Sequence, residues 1–371
     1  KKRMKRRNIH TIPSLGYGGA ESFLLRLVPY LNHKNIIITL YKTNHDKERI
    51  KNSDFKYITL DPFQASLKDA FQFLKLLFSL NKNDTVYTWL YISDLIGSII
   101  KVIFFWKDFK LIWNIRNTVI SPNDYSIYAY ISFSILRRYL KSLPNKIIFN
   151  SYKSMEEHIN KGYPKAKSFV IYNGFKKLSK ISNPKNDRNS FNIIHVARYH
   201  PQKNFDLVFE SISKYKTFYN DDFCLNLVGK DINSDNSDLK TKLHSLNIYE
   251  NVVLHGLLEP KKVHKLFTKS DISLLLSRFG ESFPNVLAES MLYGTFPIAT
   301  DIGDSSFIID KYGYIVRTNA DPMKIAAIIN NYSLLKKNDY DKWKKEIFSC
   351  QNFSKERFSI KKIAYSYSNL L

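Results

Sequence analysis

Two glutamates separated by seven residues could hold a polyol between them. Glu281 follows an apolar run that predicts a strand, and Glu289 falls about one turn into the helix predicted to come next. Ser282, Phe283, Pro284 and Asn285 lie between them, where the N-terminal amides of a helix favour an anion. Carboxylates accept hydrogen bonds from hydroxyl groups, so the two glutamates could bind a polyol beside that anion site. The alternative is a helix-capping acid followed by a solvated helix glutamate.

A second pair of residues could bind phosphate. Arg198 comes just after the predicted strand 192–196, and Lys203 precedes a predicted helix. Arginine offers a bidentate fork and lysine a point charge, so together they could clamp a diphosphate. The alternative is two solvated surface cations.

A glycine-rich stretch, Gly16–Gly19, follows the first predicted strand and opens a helix. Such glycines allow backbone amides to approach an anion. The stretch matches neither a Walker loop nor G-x-G-x-x-G, and a tight strand-to-helix turn explains it equally well.

Strands and helices alternate along the chain, which predicts parallel sheets covered by helices on both faces. The expected strands are 9–12, 36–41, 85–89, 111–115, 146–149, 169–172, 192–196, 224–228, 252–255, 272–276, 296–299 and 314–316. The expected helices are 20–31, 67–80, 95–105, 125–140, 152–159, 206–213, 239–245, 260–267, 286–293, 323–335 and a helical tail from 340.

The alternation stops in a polar stretch from 173 to about 190 and then restarts, which predicts two doubly wound domains. We expect domains over 1–178 and 179–345, with a C-terminal helix, 346–371, packing back on the first domain. Ligands of such sheets bind beyond the carboxyl ends of the strands, so the expected site is a cleft between the domains.

Several segments resemble one enzyme family. The stretch ESFPNVLAESMLYGTFPIATDIG resembles the E-x7-E signature of family 4 retaining glycosyltransferases, which have the GT-B fold of two Rossmann-like domains. IHTIPSLGYGGAE, WLYISDLIG, IWNIRNT, FVIYNGF, IIHVARYHPQKNF and LNLVGK resemble further segments of that family in the same order. The resemblance covers residues 8–335 and implies a nucleoside-diphosphate sugar as donor.

The resemblance also implies a role for each matched position. Glu289 would bind the ribose hydroxyls, Glu281 would face the donor sugar, and Arg198 with Lys203 would neutralise the diphosphate and serve catalysis with Glu281. The other expected donor contacts are Gly18, Gly19, Ser282, Phe283, Pro284 and Asn285. The family generally needs no metal, so the resemblance implies neither a metal nor another cofactor.

Three positions depart from the family pattern. Ser282 and Asp304 replace glycines, and Ile92 replaces a histidine on the acceptor side. Asp94 and Arg116 are the remaining acceptor-side candidates.

Charge is concentrated in the first half, because residues 1–178 carry 30 Lys and Arg against 12 Asp and Glu. This basic half favours an anionic membrane surface, with helix 125–141 as a candidate interfacial face, although compositional drift is an alternative. No apolar run of bilayer length and no secretory signal is evident, and the two cysteines suit a reducing compartment. We therefore expect a cytoplasmic protein that associates peripherally with the membrane.

The expected activity is metal-independent, retaining transfer of a hexosyl-type sugar to a hydroxyl group of a glycan or lipid-linked acceptor. Capsule, O-antigen or lipopolysaccharide synthesis is the expected setting, by analogy with the family. The alternatives are another GT-B enzyme, either an inverting transferase or a sugar-nucleotide epimerase, and a basic nucleic-acid-binding protein. No helix-turn-helix, RNP or zinc motif supports the last, so no nucleic-acid partner is expected.

Overall fold

The computed structural model describes residues 6–16, 18–51, 53–118, 126–176 and 190–370. The chain divides into two compact units. The N-terminal unit comprises residues 1–176 and 360–371, and the C-terminal unit comprises residues 177–359. The first residues of the basic stretch 1–7, Tyr17 of the glycine loop, Tyr125 and most of the polar stretch after 173 lie outside the described residues.

The N-terminal unit is built on a seven-stranded parallel sheet with the strand order β3-β2-β1-β4-β5-β6-β7. Its strands are β1 (Arg7–Ile12), β2 (Lys34–Thr39), β3 (Lys56–Thr59), β4 (Thr85–Trp89), β5 (Lys110–Ile115), β6 (Lys146–Phe149) and β7 (Ser168–Val170). Its first six helices are α1 (Gly19–Leu27), α2 (Asp46–Ile50), α3 (Leu67–Phe78), α4 (Tyr91–Ile103), α5 (Ile127–Ile135) and α6 (Tyr152–Asn160).

The C-terminal unit has a six-stranded parallel sheet in the order β10-β9-β8-β11-β12-β13. The strands are β8 (Asn192–Val196), β9 (Cys224–Val228), β10 (Val252–Leu254), β11 (Ile272–Leu275), β12 (Phe296–Thr300) and β13 (Tyr314–Val316). The helices are α7 (Phe205–Phe218), α8 (Ser237–Ser245), α9 (Pro260–Phe267), α10 (Asn285–Leu292), α11 (Ser305–Ile309), α12 (Pro322–Asn338) and α13 (Tyr340–Arg357).

Both sheets bury apolar side chains on their two faces. In β2, Ile36 and Ile38 join one core cluster, whereas Ile37 joins the other. In β8, Ile193 and Ile194 are divided in the same way. Successive side chains of a strand point to opposite faces, so these continuous apolar strands require helices on both sides.

The last helix, α14 (Ile360–Asn369), groups with the N-terminal unit. It buries Ile360, Ile363, Ala364 and Tyr367, which recur at helical spacing, in the same core cluster as α1. In the structure, the C-terminal element that groups with the N-terminal unit starts at residue 360 rather than at the expected residue 346. The segment 346–359 stays with the C-terminal unit because Ile347 is buried in the core of that unit.

The expected helices and strands differ from the structure mainly at short elements. The strand β3 and the helices α2 and α11 have four or five residues each and were not predicted. Helix α4 begins at Tyr91 rather than at residue 95, and the helix expected over 125–140 is α5 followed by a π-helical turn, Leu136–Leu140.

Candidate active site

Each sheet has a point where the chain order reverses, and both points carry sequence-predicted residues. In the N-terminal unit the reversal lies between β1 and β4, and the loop after β1 carries the glycine-rich stretch. In the C-terminal unit it lies between β8 and β11. Loops on either side of such a point diverge and leave a crevice at the carboxyl edge of the sheet.

The loop after β8 carries the predicted cations. Lys203 ends a 3₁₀ turn, Pro201–Lys203, while Arg198 lies exposed two residues beyond the strand. The Arg198 guanidinium donates to Gln202 Oε1 at 3.1 Å. Partial burial, followed by the positive charges of Arg198 and Lys203, lowers the pKa of His200 between them. The loop is therefore a local concentration of positive charge.

The loop after β11 carries the first of the two glutamates. Glu281 lies between β11 and α10 and is only 9% exposed. Lys203 Nζ donates to Glu281 Oε1, and Ser277 Oγ donates to the same oxygen at 2.8 Å. Residues 78 positions apart thus form a largely buried, hydrogen-bonded ion pair at the edge of the sheet.

Two further contacts join the loops after β8 and β11. The backbone amide of Arg278 donates to the carbonyl of Gln202 at 2.8 Å, and the Arg278 guanidinium donates to Asn204 Oδ1 at the same distance. Asn204 has a positive φ of 51° just before α7. These contacts fix the positions of the two loops that carry Lys203 and Glu281. The sequence analysis did not single out Gln202, Asn204, Ser277 or Arg278.

A turn after β12 packs against the backbone of the loop that carries Glu281. Gly303 has φ +59°, and a Cβ there would lie 2.5 Å from the carbonyl oxygens of both Glu281 and Ser282. The amide of Asp304 donates to the Ser282 carbonyl at 3.0 Å. Only glycine allows this approach, so the turn fixes the backbone that carries Glu281.

The rest of the predicted donor segment lies at the start of α10. Phe283 is buried and contacts the Phe358 ring edge-on, with centroids 5.5 Å apart. Pro284 is the N-cap residue, Asn285 is the first helical residue, and half-buried Glu289 comes one turn later. The helix N-terminus and Glu281 therefore adjoin each other, as the sequence predicts.

In the N-terminal unit, Gly18 and Gly19 are exposed at the start of α1. Arg49 donates to the Leu15 carbonyl at 3.1 Å, to the Gly16 carbonyl, and to Ser22 Oγ at 3.1 Å, so it holds both ends of the loop. Burial raises the pKa of the Glu21 carboxyl, which lies against Gly18. The contact of these glycines with a donor stays a prediction.

Asp94 lies in the interior of the N-terminal unit. It is fully buried in α4, accepts a hydrogen bond from Thr88 Oγ1, and leaves Oδ2 without a partner among the described residues. Burial raises the pKa of this carboxyl well above its ordinary value. Its acceptor-side role stays a prediction, and the geometry gives it a packing role near β4.

Arg116 is also buried, at 8% exposure, at the end of β5. It donates to Tyr367 Oη and to Asn173 Oδ1 (3.1 Å), and its guanidinium lies 4.7 Å from the Phe23 ring and 4.9 Å from the Trp89 ring. Burial lowers its pKa. These contacts connect the sheet to α14, and the acceptor-side role of Arg116 likewise stays a prediction.

Among the residues that the structure describes, no three or more His, Cys, Asp or Glu side chains form a group suited to hold a metal. Over the same part of the chain, none of the helices has the length and apolarity to cross a membrane.

Comparison with known proteins gives two results. Residues 176–348 match the family model of the glycosyl transferases group 1, which covers most of the C-terminal unit. No curated protein sequence matches the chain.

Solved structures align with the whole chain. HepE from Anabaena, crystallised with UDP and glucose, is 19% identical with a TM-score of 0.77, and the alignment covers 98% of each chain. Sucrose-phosphate synthase from Thermosynechococcus elongatus (16%, 0.72) and the lipopolysaccharide outer core galactosyltransferase WaaB (18%, 0.71) are also covered to 98% of both chains. The expected GT-B fold is thereby confirmed.

Proposed function

We propose that this protein is a group 1 glycosyltransferase that moves a sugar from a nucleoside-diphosphate sugar to a hydroxyl acceptor. The observation that carries the proposal is the ion pair of Lys203 and Glu281 at the strand-order reversal between β8 and β11, beside the N-terminus of α10. The match of residues 176–348 to the family supports it.

In this proposal the diphosphate lies against Arg198, Lys203 and the start of α10. The bond from the anomeric carbon to the diphosphate oxygen breaks, a bond from that carbon to the acceptor oxygen forms, and the proton of the acceptor hydroxyl passes to the departing diphosphate oxygen. Fixed cations and helix amides stabilise the charge that develops on the leaving diphosphate. Because these groups supply the neutralisation, we propose that the enzyme uses no metal or other cofactor.

Glu281 and Glu289 recognise hydroxyl groups in this arrangement, on the donor sugar and on the ribose respectively. Lys203 already neutralises Glu281, so donor binding must redistribute the hydrogen bonds of Lys203 between carboxylate and phosphate. We assign retention of configuration on the E-x7-E resemblance. An inverting transferase and a sugar-nucleotide epimerase are the competing GT-B activities.

We place the enzyme in cell-surface polysaccharide synthesis, in the cytoplasm and against the inner face of the membrane. The name of WaaB supports a lipopolysaccharide-type setting, and the basic first half of the chain favours an anionic surface with a glycan or lipid-linked acceptor. The proposal includes no nucleic-acid partner.

A thermal-shift comparison of UDP, GDP and ADP, each with and without EDTA, tests the donor assignment. UDP is the first choice because HepE was crystallised with it. A nucleotide present at about 100 times its Kd should stabilise the protein by about 2.7 kcal/mol. NMR of the product anomer then separates retention from inversion, and the absence of any nucleotide-dependent shift would contradict the proposal.

A further inference from the structure

We infer that the N-terminal unit carries a face that inserts into an anionic lipid bilayer, formed by α3 and by the end of α4 with the turn Phe105–Lys107. This lipid-insertion face consists of Leu67, Phe71, Leu74, Phe78, Ile103, Phe105 and Trp106. The inference rests on the membrane location given in the proposed function and names the face that makes the contact; it does not depend on the sugar donor.

Helix α3 turns an apolar stripe outward. Leu67, Phe71, Leu74 and Phe78 recur at intervals of four, three and four residues, which places them on one side of a helix about 16 Å long. Leu67 is 92% exposed and Phe71 is 67% exposed, whereas Leu76 is buried on the opposite side. The helix therefore has two apolar sides, one packed against the core and the other exposed to solvent.

The stripe continues onto the neighbouring element. Phe78 contacts the Phe104 ring edge-on at 5.9 Å, Phe104 contacts Trp106 at 5.7 Å, and Trp106 contacts Phe105 at 5.3 Å. Lys107 Nζ donates to the Phe78 carbonyl at 2.6 Å and ties the turn to α3. Phe105 and Trp106 are 72% and 61% exposed. The result is one continuous exposed apolar surface, which a soluble monomer rarely presents.

The charges around the lipid-insertion face favour an anionic lipid surface as its partner. Residues 67–107 contain five lysines, among them Lys68 and Lys75 of α3, against three aspartates. Asp84 and Asp94 are fully buried, so Asp69 alone of the three lies near the surface. A second copy docking through the same face would bring lysines together, whereas anionic headgroups complement them. Tryptophan and phenylalanine beside lysine are typical of side chains at the bilayer interface.

Tryptophan fluorescence gives a direct test on the intact protein. Trp89, Trp113 and Trp343 are buried, so Trp106 is the exposed member of the four tryptophans. With vesicles of phosphatidylglycerol and phosphatidylcholine whose acyl chains carry bromine, we expect quenching of Trp106 and a blue shift. Trp106→Phe should abolish both changes. Emission that stays unchanged with vesicles at low salt would overturn the inference.

Vesicle co-sedimentation measures the contribution of the stripe. Leu67→Ser with Phe71→Ser should lower partitioning about tenfold or more, because two large side chains no longer enter the acyl region. The matched control, Phe218→Ser with Phe348→Ser, changes two exposed phenylalanines of the C-terminal unit and should leave partitioning unchanged.

Salt and oligomeric state distinguish insertion from purely electrostatic adsorption and from self-association. High salt should weaken but not abolish wild-type partitioning, since screening removes only the lysine contribution. Equal loss from the stripe variant and the control variant would overturn the inference. So would a dimer in the absence of vesicles that the stripe variant converts to a monomer. Failure of nucleotide binding would contradict the proposed function and leave these lipid measurements unaffected.

Discussion

At the scale of single residues, Glu281 and its partner show where sequence reasoning stops. The block from Glu281 to Glu289 predicts a site by its own spacing, and so does Lys203 beside Arg198. Their direct pairing depends on β8 lying next to β11, and the alternation of elements does not specify strand order. Ser277 was overlooked for the same reason, since a serine after a strand carries no signal until its partner is known.

Lys203→Ala should lower turnover by roughly 100- to 1,000-fold, because one fixed cation on the leaving diphosphate is lost. It should also lower the free energy of unfolding by about 1–3 kcal/mol, since the largely buried Glu281 carboxylate loses its cationic partner and, among the described residues, keeps only the hydrogen bond from Ser277. Adding Glu281→Gln should restore stability but not turnover. Steady-state kinetics and urea unfolding measure the two effects.

Lys344→Ala provides the matched control for that variant. Lys344 pairs with Asp341 at 2.7 Å on the surface of α13. The substitution therefore removes an exposed lysine–carboxylate pair from the same unit. Its stability should change by less than about 0.5 kcal/mol and its turnover should not change. A Lys203→Ala enzyme with near-normal turnover would contradict the diphosphate clamp.

At the scale of elements, apolar runs predicted buried strands well. The strands 85–89, 146–149, 192–196, 224–228 and 314–316 were predicted with the bounds that the structure has. The strand β3, Lys56–Thr59, was missed because it has only four residues, too few for an alternating apolar pattern to stand out. Helix α4 starts early because Tyr91 is buried against the core, a tertiary effect that periodicity does not contain.

Gly303→Ala tests whether the turn after β12 positions the glutamate loop. The new Cβ would lie 2.5 Å from two carbonyl oxygens and would occupy a strained φ of +59°. We expect a loss of about 1–3 kcal/mol in unfolding free energy and weaker nucleotide binding, measured by urea unfolding and calorimetric titration.

Gly256→Ala separates backbone strain from displacement of the loop. Gly256 has a similar φ of +66°, but the nearest atom to an added Cβ there is 3.7 Å away. This variant should show only the strain, about 1 kcal/mol. If both variants bound nucleotide equally well, the positioning role of Gly303 would be wrong.

At the scale of the whole molecule, buried histidines make the fold sensitive to acid. Burial lowers the pKa of His10, His158 and His195 to about 4 in each case. The unfolded chain binds protons at these positions below about pH 6.5, and the folded chain does so only near the lowered values. The contribution of these histidines to the free energy of unfolding is therefore fully present above the pKa of histidine in the unfolded chain, and it is lost as the pH falls toward 4.

Urea unfolding between about pH 5 and about pH 7 should show the unfolding free energy rising by up to about 1.4 kcal/mol per pH unit for each such histidine. The raised pKa of Asp94 acts in the opposite direction, because the folded protein keeps that proton at pH values where the unfolded chain has released it. Asp94→Asn should therefore steepen the rise. A flat profile in the wild-type protein would contradict the assignment.

Helix α14 has a consequence for synthesis on the ribosome. The cluster around Phe23 and Trp89 is closed by Ile363 and Tyr367, which emerge nearly two hundred residues after β7. While the C-terminal unit is being translated, the N-terminal segment lacks the helix that completes this core cluster. A fragment that ends at residue 176 should therefore be less stable than the full chain, because Phe23 and Trp89 would lose their contacts with Tyr367.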